Sequence, residues 1–284
     1  MKHFLIYTNE NKDKELEITE RIRRFLTDRG QRVTLCVRAA NWKQKSSEEA
    51  PEFPEDIDCM LVLGGDGTVL GAAGETRELN IPLIGVNLGT LGYMSQIEPA
   101  GLEEALERLI EGDYEKESRM MLNGKVFLRD GTVQEGWALN DIVIARSGSL
   151  QIIHYNIYVN GQILTDYQAD GIIITTPTGS TGYNLSAGGP LVEPSASLIV
   201  LTPICAHTLN QRSIVLSAED VIEIEIVRGR EGHVQHLEAN FDGSPLTSLT
   251  TGDRIRIVRS GQSKEFIRLS RASFLETLRR KLSE

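Results

Sequence analysis

A lone carboxylate among small residues carries the most specific chemistry in this sequence. Gly64-Gly65-Asp66-Gly67-Thr68 follows the apolar run at 57–63 and leads into a helical pattern over about 69–79. Glycines let backbone approach a ligand closely and accept positive φ. A helix N-terminus offers free N–H groups and the positive end of a dipole, both suited to phosphate. A carboxylate in that setting is unfavourable unless it holds a cation or takes a proton. Transfer of a phosphoryl group to a hydroxyl needs both services. The plain alternative is a tight strand-to-helix turn in which Asp66 caps the helix. No Gly-Lys-Ser/Thr follows, so this is not a Walker A loop. Gly-x-Gly-x-x-Gly is not matched either, which weakens a dehydrogenase reading.

A second stretch is rich in glycine and hydroxyls: Asp170-Gly171, an apolar β run, then Thr175-Thr176-Pro177-Thr178-Gly179-Ser180-Thr181-Gly182-Tyr183-Asn184-Leu185-Ser186-Ala187-Gly188-Gly189-Pro190. Hydroxyls and open backbone N–H groups bind phosphates or base edges. Tyr183 can stack on a base or simply fill a core. The bland alternative is a long polar connection, although one so rich in special residues is more often functional. Asn87-Leu88-Gly89-Thr90-Leu91-Gly92-Tyr93 and Asn140-Asp141 share this flavour, and turn chemistry alone accounts for either.

The elements that must position these residues fall into two groups. Over the first ~110 residues strand and helix signals alternate: strands at 4–7, 33–37, 57–63 and 81–86, helices at 14–29, 69–79 and 102–111. Residues 41–54 read as a loose polar loop. This is a parallel α/β layer, whose ligands bind at the carboxyl ends of strands. From about Leu122 short β runs dominate, at 125–128, 141–145, 152–159, 172–176, 198–201, 221–227, 234–241 and 254–258. Asn160-Gly161 marks a two-residue hairpin. Helical spacing returns at 272–282, as a segment covering the first domain. The expected organisation is an N-terminal Rossmann-like α/β domain over 1–120 joined by 265–284, and a second, mostly β domain over 121–264.

Composition narrows the partners. A net charge of −10 speaks against nucleic acid, whose phosphates need a basic face. Apolar runs are too short to span a bilayer, and the charged N-terminus lacks a signal-peptide pattern, so a cytoplasmic chain without membrane partners is expected. Cys36, Cys59 and Cys205 have no CxxC spacing and read as reduced, buried, small apolar residues. His233 and His236 would face opposite sides of a strand, a poor arrangement for sharing a metal.

Taken together, the order of these segments resembles the NAD kinase family. It runs from Gly64-Gly65-Asp66-Gly67-Thr68 through Asn87 to Tyr93, Asn140-Asp141 and Asp170 to Pro190. Thr202-Pro203-Ile204-Cys205-Ala206-His207 and Phe241-Asp242-Gly243 fit too, so the resemblance covers about 61–243. It implies an α/β domain and a β-sandwich domain. It also implies transfer of the terminal phosphoryl group of ATP, or polyphosphate, to the 2′-hydroxyl of the adenosine ribose of NAD. Asp66 would be catalytic, accepting the hydroxyl proton or organising Mg²⁺ or another divalent cation brought with ATP; no direct protein ligands to the metal are assigned. Gly65, Gly67, Thr68 and Asn87 would border the substrates. Asn140 and Asp141 would bond a ribose, Asp170 would face the dinucleotide, and Thr178, Ser180, Thr181, Gly182, Tyr183, Asn184, Leu185 and Ser186 would line its pocket. Gln168 and Ser244 are weaker carry-overs. Family members are commonly homo-oligomers, so a homodimer or homotetramer is implied. Departures are small: Asp141 stands for a usual Glu, Gly182 for Ala, Tyr93 for Phe and Ala206 for Pro. A lipid kinase of the diacylglycerol or sphingosine type shares the first turn only. A non-catalytic NAD(P)-binding sensor would gain nothing from Asp66.

Overall fold

The structure, a computed structural model, describes residues 1–38, 53–89, 92–148, 152–207, 212–269 and 274–282. The expected polar loop at 41–54 and Thr90-Leu91 lie wholly or mostly outside the described residues. The chain forms two compact units, 1–118 with 264–284, and 119–263.

The first unit contains β1 (His3–Asn9), a 3₁₀ turn (Lys14–Leu16), α1 (Glu17–Asp28), β2 (Arg32–Arg38), β3 (Cys59–Gly64), α2 (Asp66–Glu75), β4 (Leu83–Asn87), β5 (Ser95–Ile97) and α3 (Leu102–Glu111). The order β2-β1-β3-β4 is parallel throughout, with β5 also parallel to β4. β3 and β4 are buried along their whole length, as expected of parallel strands covered on both faces. Phe4, Ile6, Leu61, Leu63, Ile84 and Val86 form the core with Ile22 and Leu26 of α1 and Leu106 and Leu109 of α3. The first helix begins later than its pattern predicts, because Glu15 and Leu16 adopt positive φ. Asp13 then caps α1, accepting the N–H groups of Ile18 at 3.0 Å and Thr19 at 2.8 Å.

The chain continues through β6 (Glu115–Phe127), β7 (Val133–Ala138), β8 (Asp141–Arg146), β9 (Ile153–Val159), β10 (Gln162–Ala169) and β11 (Gly171–Thr175). A 3₁₀ turn (Thr178–Thr181) and the single-turn α4 (Tyr183–Ser186) follow. Then come β12 (Leu198–Ile204), β13 (Ile214–Ser217), β14 (Ile222–Ile226), β15 (His236–Phe241), β16 (Ser244–Thr250), β17 (Arg254–Arg268) and α5 (Phe274–Leu282). In the second unit β13-β12-β11-β8-β15-β16 is one antiparallel sheet and β10-β9-β14-β17 another. Ile142, Ile144, Ile172 and Ile174 of the first pack with Tyr155, Ile157, Ile222 and Ile224 of the second in one core. Two antiparallel sheets over a shared core make a β-sandwich. β14, Ile-Glu-Ile-Glu-Ile, buries its isoleucines and leaves the glutamates outward. β9 and β10 pair around Asn160-Gly161, as the hairpin signal predicts.

The end of β17 belongs to the first unit, where Phe266 pairs with Leu83, and α5 lies in that unit too. There Lys281 Nζ sits 4.7 Å from the ring centroid of Tyr93. Lys264 is 2% exposed, and its ammonium donates to Thr76 O, Thr76 Oγ1 and Leu79 O at 2.8, 3.0 and 3.3 Å. Burial lowers its pKa to about 8. It closes off the C-terminal end of α2, where a cation complements the dipole. Two cysteines are buried as expected, but Cys205 is exposed, with φ 47° just past the end of β12. No helix of the described residues is long and apolar enough to cross a membrane.

Candidate active site

Asp66 is the first residue of α2, three residues before the expected helix start. The N-cap is Gly65, and no side-chain bond caps the helix, so the capping alternative for Asp66 does not hold. Its carboxylate turns to another loop. Oδ2 accepts the Tyr93 N–H at 2.8 Å and Oδ1 the Met94 N–H at 3.1 Å. A methyl group on Gly92 would overlap Asp66 Oδ1, so only glycine lets this loop close on the carboxylate. Each oxygen keeps a further lone pair for a proton or a cation.

Around Asp66, Thr68 is buried and takes a 3.5 Å hydrogen bond from Asn9 Nδ2. Gly65 and Gly67 have open space where a side chain would be. Asn87 forms a local turn with Gly89, donating from Nδ2 to its carbonyl and accepting its N–H, both at 3.1 Å. The turn-chemistry reading of Asn87 therefore holds. It also lines an open cleft of about 510 Å³ with Lys12, Leu88, Gly89, Glu98 and Pro99.

The second unit assembles a different cluster. β8 begins at Asp141, which pairs with Thr175 at the end of β11, so Asn140-Asp141 lies beside the glycine-hydroxyl segment. That segment is not an irregular loop but two short helical turns. A methyl group on Gly179 would overlap the Asn140 carbonyl oxygen. One on Gly182 would lie 3.4 Å from Asn140 Nδ2 and 4.0 Å from Asp141 Oδ2. Asp141 is buried, and its pKa is pushed up to about 7, first by burial and then by the charge of Asp242. Asn140 Oδ1 and Thr178 Oγ1 are buried without a hydrogen-bond partner among the described residues. Such orphaned buried groups call for a partner that the described chain does not supply.

Tyr183 is 48% exposed, which settles its two readings against core filling. Leu185 and Ser186 are exposed beside it, and Thr181 Oγ1 makes a long 3.4 Å bond to Thr178 O. Ser180 and Asn184 are fully buried and spend their polar atoms on the chain. Ser180 Oγ donates to Val192 O at 3.1 Å and accepts the Val192 N–H at 3.0 Å. Asn184 donates to Ser180 O and Pro190 O and accepts the Thr202 hydroxyl. Ser244 begins β16 directly after Asp242-Gly243. Asp170 and Gln168 stand apart, at the other end of β11, roughly 17 Å away at the usual strand rise. There Asp170 pairs with Arg146 at 3.3 Å, and Gln168 O accepts the His207 N–H.

Sequence reasoning left Asp242 outside the candidate site. Its carboxylate accepts the backbone N–H groups of Leu139, Asn140 and Asp141 at 2.8, 2.8 and 3.1 Å. The Asp-Gly pair signals a hairpin and nothing more, so no local pattern points to that long reach.

One unit is parallel α/β with an aspartate in a glycine-rich strand-to-helix turn, and the other is a sandwich with orphaned polar groups, features that suit a phosphotransferase acting on a nucleotide. The family model described as ATP-NAD kinase N-terminal domain matches residues 4–114, and the one described as ATP-NAD kinase C-terminal domain matches 139–269. The chain is 44% identical to an NAD kinase of Lachnospira eligens, over 99% of this chain and 100% of that one. It is 40% identical to an NAD kinase of Caldanaerobacter subterraneus subsp. tengcongensis over 100% of both. The chain belongs to the NAD kinase family. Its fold is that of yeast NADH kinase complexed with NADH, with TM-score 0.85, 23% identity, and coverage of 100% of this chain and 88% of that one. An NAD kinase from Archaeoglobus fulgidus in complex with ATP gives TM-score 0.71 at 24% identity, covering 94% and 93%.

Proposed function

We propose that this chain moves the terminal phosphoryl group of ATP to the 2′-hydroxyl of the adenosine ribose of NAD, with Asp66 accepting the hydroxyl proton. The observation that carries Asp66 is its carboxylate, which stands in a glycine turn at a helix start and is held by two backbone N–H groups with lone pairs to spare. As the oxygen–phosphorus bond forms, the hydroxyl proton passes to a free lone pair of that carboxylate. Asn140 and Asp141 bond ribose hydroxyls, and the exposed Tyr183 ring stacks on a base. Orientation of the two substrates supplies most of the acceleration.

Among the described residues no three His, Cys, Asp or Glu side chains converge into a metal cage. The donor set instead fits a divalent cation such as Mg²⁺ that arrives on the phosphates of ATP, with Asp66 as a single protein carboxylate near it. Bound there, such an ion neutralises charge on the phosphate oxygens. We assign the chain to the cytoplasm as a homodimer or homotetramer, on the resemblance alone. The match over both family domains sets the lipid-kinase alternative aside.

The test is incubation with NAD and MgATP, or with NAD and polyphosphate, read by an NADP-specific dehydrogenase. NADP formation with ATP is expected. NAD binding without NADP formation from either donor would favour a sensor and overturn the proposal.

A further inference from the structure

We propose that Asp242 is a positioning residue for NAD: its carboxylate clamps the backbone of Leu139-Asn140-Asp141 and so aims the Asn140 and Asp141 side chains at the nucleotide. The inference rests on the function proposed above and adds to it a residue that touches no substrate.

The geometry is specific. Asp242 and Gly243 form the two-residue turn between β15 and β16, with φ 48° and 75°. An aspartate in such a turn ordinarily bonds its own loop or faces water. Here its two oxygens gather the N–H groups of three consecutive residues about a hundred positions earlier in the chain. Successive N–H groups converging on one anion form a nest. The carbonyls of the same three residues are also held. Leu139 O accepts the Thr176 hydroxyl at 2.6 Å, and Asn140 O accepts the Thr176 N–H at 2.8 Å and the Thr175 hydroxyl at 2.9 Å. Asp141 O accepts the Asp242 N–H at 3.0 Å. Every peptide group of the segment is thus fixed, while Asn140 Oδ1 is left without a partner among the described residues. Rigid backbone carrying an open side-chain valence is what a preorganised binding group requires.

The charge of Asp242 has a second effect. It raises the pKa of Asp141, adding to burial, so that Asp141 gains its negative charge only near pH 7. Around Asp141, β11 carries no titratable side chain, the turn over 178–184 carries only Tyr183, and the hairpin between β15 and β16 supplies Asp242. Ionised Asp141 accepts hydrogen bonds from ribose hydroxyls, and its neutral form accepts them more weakly. NAD affinity should therefore fall as pH drops through about 7.

The experiment measures KM and kcat for NAD, and NAD affinity by calorimetry, across about pH 6 to 8 for the wild type, Asp242→Asn and Asp141→Asn. Asparagine tolerates the left-handed turn, but it replaces one acceptor oxygen with an N–H donor and removes the charge. For Asp242→Asn, folded by circular dichroism, KM and Kd for NAD should rise about 10- to 100-fold. Its kcat at saturating NAD should stay within about threefold, because the clamp lies outside the transferring atoms. The inflection near pH 7 should move to the acid side. A folded variant with wild-type affinity and an unmoved inflection would overturn the proposal. Asp141→Asn should abolish the inflection, which identifies the group behind it. Should Asp242→Asn not fold, Asp242→Glu decides, since it keeps the charge but alters the reach to the three N–H groups: a folded protein with raised KM and Kd for NAD at near wild-type kcat supports the clamp, and wild-type affinity sinks it. Calorimetry needs no turnover, so a chain that makes no NADP fails the function above while the Asp242 assignment is still read from binding.

Discussion

Asp66 and Asp141 are both carboxylates at the start of an element, yet the chain treats them oppositely. In the first unit it is the Asp66 side chain that is tied down, by the N–H groups of Tyr93 and Met94, with Gly92 packed against it. In the second it is the Asp141 backbone that is tied, through its N–H to Asp242 and its carbonyl to the Asp242 N–H. Asp141's carboxyl group is buried beside a like charge, and its neighbour Asn140 keeps an unsatisfied oxygen. The contrast separates two tasks. On the function proposed above, the group that meets the transferring proton is aimed in advance, and the groups that recognise the ligand are left for the ligand to complete.

The contrast breaks most directly at Asp66. Asp66→Asn should lower kcat by about 10²–10⁴ while KM for NAD stays within about threefold. Wild-type turnover in the coupled NADP assay would remove Asp66 from the chemistry. Next in size is Gly92→Ala, whose methyl group must push the Asp66 carboxylate or its loop aside. A drop of about 10- to 100-fold in kcat is expected, with an unchanged KM for NAD, from misplacement of a group that is still present. Smallest is Asn140→Ala in the other unit. There KM for NAD should rise about tenfold with little change in kcat, as one ligand hydrogen bond is lost. If Asn140→Ala instead lowered kcat and spared KM, the division of labour between the two units would be wrong.

Much of this was legible in residue order. The apolar runs of β1, β3 and β4 and the alternation in β14 announce their elements because burial enforces both patterns. The long strands were harder. β17 passes through Ser260-Gly261-Gln262-Ser263-Lys264, a polar stretch without periodicity, so only its first residues were foreseen. β16, Ser-Pro-Leu-Thr-Ser-Leu-Thr, is hidden for the same reason, and β13, Ile-Val-Leu-Ser, because so short a run does not stand out. α2 starts at Asp66 because its first turn needs no apolar residue, whereas a pattern search waits for Val69. Residue types point to Asp66, and the resemblance adds Asn140 and Asp141. Neither could show that Asp170 lies at the far end of β11 or that Ser180 and Asn184 bond inward, since strand direction and side-chain partners arise only on folding. Asp242 was hidden because its partners are distant in sequence, and Lys264 because a lone lysine normally reads as surface.

The discontinuous first unit also dictates an order of events on the ribosome. Its last core residues, Phe266 and Ile267, leave the tunnel only after all of 119–263 has been made. For this chain, then, the amino-terminal unit reaches its full core only when translation is nearly over: until then Leu83 has Met60 of β3 beside it but lacks Phe266.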